Sequence, residues 1–162
     1  MDIYLIRHSE AIELGTDGIT DDFNRPLTEA GRKHSERLAI ALPSRGARIE
    51  GIFVSPLLRT QQTAEPMIAA WNLVGEQVVN CEELAPGGSS KVLAEELSSH
   101  SARSVALVGH RPDLNEFAAW LIGSKKAQIA FAKGAVALVR VNEDEVGKGT
   151  GKLLWLLPPD WV

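Results

Sequence analysis

At 162 residues the chain has room for about one domain of roughly 150 residues, and at that size roughly two-thirds of the unfolded surface can be buried without metal or disulfide staples. A composition of 44% hydrophobic and 23% charged residues excludes a disordered or fibrous chain. The formal net charge of −4 excludes a general attraction to nucleic acid or to an anionic membrane, and the single cysteine, Cys81, excludes an intrachain disulfide. No apolar run reaches the roughly 18 residues of a spanning helix, and the opening MDIYLIRH lacks a signal-peptide pattern. A cytoplasmic protein without nucleic-acid or membrane partners is the expectation.

In chain order, Ile3-Tyr4-Leu5-Ile6 reads as a central strand buried on both faces. Thr28 is placed to cap a helix from about Glu29 to Leu42, with Ala30, Leu38, Ala41 and Leu42 as its apolar stripe. Ile52-Phe53-Val54 is a second strand, and a helix from Leu57 to about Ala70 follows, which Pro66 should kink or split. Gln77 to Asn80 reads as a short strand. The loop Pro86 to Ser90 then leads into a helix around Lys91 to Leu97. Val105 to Val108 is a third buried strand. Asp113 and Glu116 have capping-box spacing before a helix carrying Leu114, Phe117, Ala118 and Leu121, with Gly123 just past its end. Two extended runs, Ala135 to Val141 and Lys152 to Leu157, flank the polar segment Asn142 to Gly151 and predict an antiparallel edge hairpin. Strand–helix alternation predicts a single three-layer α/β domain with a mostly parallel central sheet and helices on both faces.

Ligands of open α/β sheets bind beyond the carboxyl ends of the strands. The three buried strands end in Arg7-His8, in Ser55-Pro56 with Arg59 in the next helical turn, and in Gly109-His110-Arg111. If they run parallel, one sheet edge gathers two imidazoles and two or three guanidiniums in a chain of negative total charge. Planar arginine forks match phosphate oxygens, so that edge reads as an anion site. Each of these residues taken singly would be ordinary surface or structure; their recurrence at equivalent strand ends is what carries the reading. The segment GKGTGKLL lacks phosphate-loop spacing, and neither a histidine-rich cluster nor a carboxylate pair stands near the strand ends.

LIRHSEA near the start, RPLTEAGR at Arg25 to Arg32, VSPLLRTQQTAEP at Val54 to Pro66 and VGHRPDL at Val108 to Leu114 together resemble the histidine phosphatase superfamily. The short length, EELAPGG at Glu82 to Gly88 and the terminal LLWLLPP are most similar to its SixA-type phosphohistidine phosphatases. The resemblance implies one catalytic domain over residues 1–162, with His8 as nucleophile, Arg7 and Arg59 as phosphate clamps and His110 as the second active-site histidine. It implies a phosphohistidine intermediate that water hydrolyses, no metal or other cofactor, and a phosphate-bearing substrate such as a phosphohistidine-containing signalling domain. By position the family's general acid falls on Glu83, with Glu82 as competitor; a labile P–N bond reduces the need for one.

That scheme suits the residue types. A neutral imidazole is a good nucleophile, nearby arginines favour its neutral form, and phosphoryl transfer needs chiefly positioning and charge. Two departures from the family pattern stand out. Ser9 replaces a frequent glycine, which should restrict the loop beside His8. Glu10, Glu13, Asp17, Asp21 and Asp22 form an acidic stretch that reads as a solvated loop, or as one that repels small polyanions. Arg25 and Arg111 could reach the phosphate, Arg111 being the likelier bystander, while His34 and His100 read as surface, and Cys81 and the four tryptophans as packing. The rival functions are a small-molecule phosphomonoesterase on the same fold and an inactive phosphate-binding module.

Overall fold

The computed structural model describes residues 1–16, 18–141 and 145–161. Asp17 of the acidic stretch and Asn142 of the expected hairpin connection lie outside them. Strands β1 (Asp2–Arg7), β2 (Gly51–Val54), β3 (Val78–Asn80), β4 (Ser104–Gly109), β5 (Val136–Val141) and β6 (Gly151–Leu157) form one sheet in the order β3-β2-β4-β1-β5-β6. The first four run parallel; β5 and β6 pair antiparallel at the edge, as the two closing extended runs predict. Helices α1 (Glu29–Ser44), α2 (Leu58–Trp71), α3 (Ser90–Ser99) and α4 (Asp113–Leu121) cover the faces.

Alternation along the strands makes two cores. Ile3, Leu5, Val105 and Leu107 point toward α3 and α4, where Leu93, Leu97, Leu114 and Phe117 meet them. Tyr4, Ile6, Ala106 and Val108 point the other way and pack with Leu38, Leu42, Ala64 and Met67 of α1 and α2. A strand apolar on both sides is buried on both sides, which is the reason these runs are continuous rather than alternating. Trp71, Trp120, Trp155 and Trp161 all pack at the margins of these cores.

Four local expectations are corrected. Pro66 neither splits nor ends α2, because Thr63, Ala64 and Met67 bury one face of the helix on both sides of it; that packing outweighs the roughly 3 kcal/mol that an interior proline costs. Asp113 does not cap α4, whose first turn follows Pro112 with no side-chain cap. Its carboxylate instead accepts from the Gly87 N–H at 2.9 Å and ties the loop before α3 to α4. The buried face of α1 is Gly31, His34, Ser35, Leu38, Ala39 and Leu42: Leu38 and Leu42 are buried as expected, whereas Ala30 is exposed and Ala41 only half-buried. His34, expected at the surface, is therefore interior, and His100 is half-buried with its ring edge-on to Phe53.

Thr28 caps α1 as expected, accepting from the Gly31 N–H at 3.0 Å. Gly31 is needed there for contact: a Cβ at this position would collide with the backbone carbonyl of Glu10, two residues beyond His8. Alanine would gain helix propensity of about 1 kcal/mol but would push α1 off the Glu10 backbone. Gly31→Ala is expected to lose about 2 kcal/mol net, read as a lower urea midpoint at unchanged slope; an unchanged or raised midpoint would contradict this contact.

Candidate active site

The register of β1 against β4 builds the centre of the site. Arg7 pairs with Gly109, and the bond from His8 N–H to the Gly109 carbonyl at 3.0 Å carries the pairing one residue past the strands. His8 and His110, each the first residue beyond its strand, lie with ring centroids 5.2 Å apart, and both are buried. β2 is in register with the same strand, so Ser55 donates its N–H to Val108 and its hydroxyl lies 2.8 Å from His110 Nε2.

The guanidiniums are held from outside the centre. Arg7 donates to the Phe131 carbonyl at 2.7 Å. Arg59, only 4% exposed, donates to the Asp22 carbonyl at 2.7 Å and to its carboxylate at 3.2 Å. Asp22 also pairs with Arg25 at 2.9 Å, which brings Arg25 into the cluster; Arg111 stays exposed at its edge. Asp22 is thus engaged by two arginines rather than standing free in an acidic loop, and Asp21 is turned to Phe23 and Asn24.

A set of buried hydroxyls joins these pieces, and sequence reading missed it. The Ser9 N–H donates to Thr63 Oγ1 at 3.1 Å, and the same hydroxyl donates to the Arg59 carbonyl at 2.7 Å. Ser35 donates to the Gly31 carbonyl at 2.9 Å, and its hydroxyl oxygen lies 2.9 Å from Ser9 Oγ. Ser9 has no positive φ, so the glycine usual at that position is not required here, and its side chain serves as an anchor to α1. On the far side, the Gly134 N–H donates to the Arg7 and His8 carbonyls at 3.2 and 3.1 Å, while His34 Nε2–H donates to the Gly134 carbonyl at 3.1 Å. The signal available for these residues was their place: Ser9 and Ser55 directly follow strands, and Thr63 stands one turn after Arg59.

Glu83 lines one small hollow together with His110, Leu93 and Phe117. Its carboxylate accepts from the Ser89 N–H at 2.5 Å, at the start of α3, and Gly88 lets that loop close against the Glu83 backbone. Glu82 is exposed. Cys81 is buried, its thiol pushed up to about 12 by burial and by Glu96, which makes it inert packing. Among the described residues no group of three or more His, Cys, Asp or Glu is placed to hold a metal, and no helix is long and apolar enough to cross a membrane.

Burial, followed by the arginines, sets the charge state of the imidazoles. His8 is lowered to about 4 by burial first, with Arg59, Arg7 and Arg25 adding to it and its backbone bond to Ser9 opposing. His110 is lowered to about 3 by burial and then by Arg59. Both are neutral at neutral pH. His8 Nδ1–H donates to the Ser9 carbonyl at 2.8 Å, so its Nε2 carries the free lone pair. The site can therefore offer a neutral nitrogen nucleophile among fixed cations.

Comparison with known proteins agrees with this geometry. The family model of the histidine phosphatase superfamily (branch 1) matches residues 3–87. The chain is 32% identical to an uncharacterised protein of Picosynechococcus sp., over 100% of this chain and 99% of that protein. It is 28% identical to phosphohistidine phosphatase SixA of Escherichia coli, over 98% of this chain and 94% of that one. The solved structure of the protein histidine phosphatase SixA complexed with tungstate matches with a TM-score of 0.84 at 27% identity, covering 99% of this chain and 98% of the other.

The lowered imidazoles also predict how stability depends on pH. In the unfolded chain His8 and His110 take up protons near pH 6.5, whereas the folded state excludes them until about pH 4 and about 3. Their contribution is complete above about pH 7 and is lost as pH falls through that window. The urea midpoint should decline from about pH 7 to about pH 4.5, and less steeply in His110→Gln. Equal slopes in wild type and variant would contradict the assignment.

Proposed function

The chain belongs to the histidine phosphatase superfamily and is a phosphatase, and we propose that it removes the phosphoryl group from phosphohistidine on a signalling protein through a covalent intermediate on His8. The observation that carries this reading is the meeting of His8, His110 and Arg59 at one sheet edge, with the rings 5.2 Å apart. Residues 1–162 act as one catalytic domain, in a reducing cytoplasm that suits a single buried thiol.

In this reading His8 Nε2 attacks phosphorus, and the P–N bond to the substrate imidazole breaks as that ring takes a proton from solvent. Arg7 and Arg59 spread the charge of the transferring oxygens, and His110 donates a hydrogen bond to one of them. Water then attacks the phosphohistidine, its proton passing to solvent or to the departing His8 nitrogen, and inorganic phosphate leaves. The arginines are held by Phe131 and Asp22, so little reorganisation is left for the reaction. Similarity to SixA along nearly the whole chain favours a phosphohistidine substrate, and the oxyanion tungstate in the solved SixA complex supports a phosphate-sized site.

The test is incubation with a phosphorylated histidine-containing transfer protein and, in parallel, with a panel of small phosphate esters. An acid-labile, base-stable phosphoenzyme is expected in wild type and is lost in His8→Ala. Arg59→Ala should cut kcat/KM by about 100- to 1,000-fold. Faster turnover of the esters would replace the substrate class with that of a small-molecule phosphomonoesterase. Phosphate binding without label or turnover would mark an inactive binding module. Glu83→Gln separates the two chemistries further: if Glu83 is the acid, ester hydrolysis falls about 100-fold or more, while phosphohistidine hydrolysis stays within about 3-fold, because the leaving imidazole is basic enough to take its own proton. Equal effects on both substrates would remove Glu83 from the role of acid.

A further inference from the structure

Ser55 is fully buried at the end of β2, and its backbone is already fully engaged. Its N–H donates to Val108, and its carbonyl accepts from Thr60 Oγ1 at 2.8 Å and Gln61 Nε2 at 2.7 Å. Its hydroxyl has one partner among the described residues, His110 Nε2 at 2.8 Å. The other ring nitrogen, His110 Nδ1, is buried and has no partner among the described residues. We infer that Ser55 is a positioning residue which donates its hydroxyl proton to Nε2 and so holds His110 as the Nδ1–H tautomer, turning a neutral ring into a donor for the phosphoryl group. The inference rests on the proposed reading of this site as a centre of phosphoryl transfer.

Three arrangements of protons are open to the pair, and two of them strand the buried Ser55 hydroxyl proton as well as leaving Nδ1 unpaired. If Nε2–H donated to Ser55, the hydroxyl proton would be buried without an acceptor, at a cost of about 1–3 kcal/mol. The bare lone pair on Nδ1 would then face an anionic substrate. If the ring were an imidazolium, the hydroxyl proton would again be stranded, and burial, Arg59, His8, Arg7 and Arg25 all oppose that charge. Only donation from Ser55 to Nε2 satisfies the hydroxyl, and it leaves one unpaired group, the Nδ1–H, as the donor that a phosphoryl oxygen would engage. Ser55 thereby selects which nitrogen of His110 is the donor, as a hydrogen-bonded partner does for a ligating or catalytic histidine.

Nitrogen NMR of isotope-labelled wild-type protein at neutral pH reads the tautomer directly. Protonated Nδ1 and unprotonated Nε2 at His110 are expected; a proton on Nε2, or on both nitrogens, would overturn the inference whatever any variant does. Ser55→Ala should move the signal toward the Nε2–H form and lower kcat by about 10- to 100-fold, with KM for para-nitrophenyl phosphate or for the phosphorylated transfer protein within about 3-fold. A wild-type kcat in Ser55→Ala would equally overturn it. His8→Ala, assayed alongside, keeps the two failures apart: turnover surviving in His8→Ala sinks the reading of the site, whereas normal loss there with an unaffected Ser55→Ala sinks only the role of Ser55.

Discussion

The parallel pairing of β1 with β4 is the interaction on which the site depends. Neither strand carries both imidazoles, and their residues are about a hundred positions apart in the chain. Because Arg7 lies opposite Gly109, the next residue on each strand falls beside the other, and the bond from His8 N–H to Gly109 C=O fixes that pairing where the strands end. A slip of one residue would turn a histidine toward the opposite face, since side chains alternate along a strand. Ile3, Leu5, Tyr4 and Ile6 forbid the slip: two cores, one on each side, each require their own half of the alternation.

Gathering cations at a buried edge has a cost, and the surrounding chain shows how it is met. A guanidinium removed from water needs partners for its N–H groups. Arg7 finds a backbone carbonyl at Phe131, and Arg59 finds both the carbonyl and the carboxylate of Asp22. One carboxylate shared between Arg25 and Arg59 leaves the cluster positive, which is the condition for holding an oxyanion. The same positive field, added to burial, keeps His8 and His110 neutral. On the proposed reading, the charge that would hold phosphate therefore also keeps the proposed nucleophile, His8, in the form that attacks.

The polar residues around the site obey a different logic from the core. Gly31, His34 and Ser35 occupy the buried face of α1 at positions where an apolar stripe would ordinarily run. Gly31 is there because the helix abuts the Glu10 backbone, Ser35 because its hydroxyl meets that of Ser9, and His34 because it donates to the Gly134 carbonyl. Thr63 does the same from α2, linking the peptide of Ser9 to that of Arg59. A reading by hydrophobic period passes over such residues, since the pattern it seeks is broken at the places where the site is built.

Local chemistry and chain order were enough to locate the strands, the four helix starts to within about a residue, His8 and His110 just past strand ends, and Arg59 in the first turn of α2. Each of these follows from signals within a few residues: a continuous apolar run, a capping threonine or serine, a histidine just past a strand. The motif resemblance to histidine phosphatases was likewise legible, and the full-length similarities bear it out. What the linear order could not contain was anything set by a partner distant in sequence. That Asp113 reaches Gly87 instead of capping its own helix depends on how α4 meets the loop before α3. So does the survival of α2 across Pro66, which packing against the sheet decides. The burial of His34 and the capture of Asp22 by two arginines are of the same kind. Hydrogen bonds and desolvation act over a few ångströms of space, and folding, not sequence separation, determines which groups come within that range.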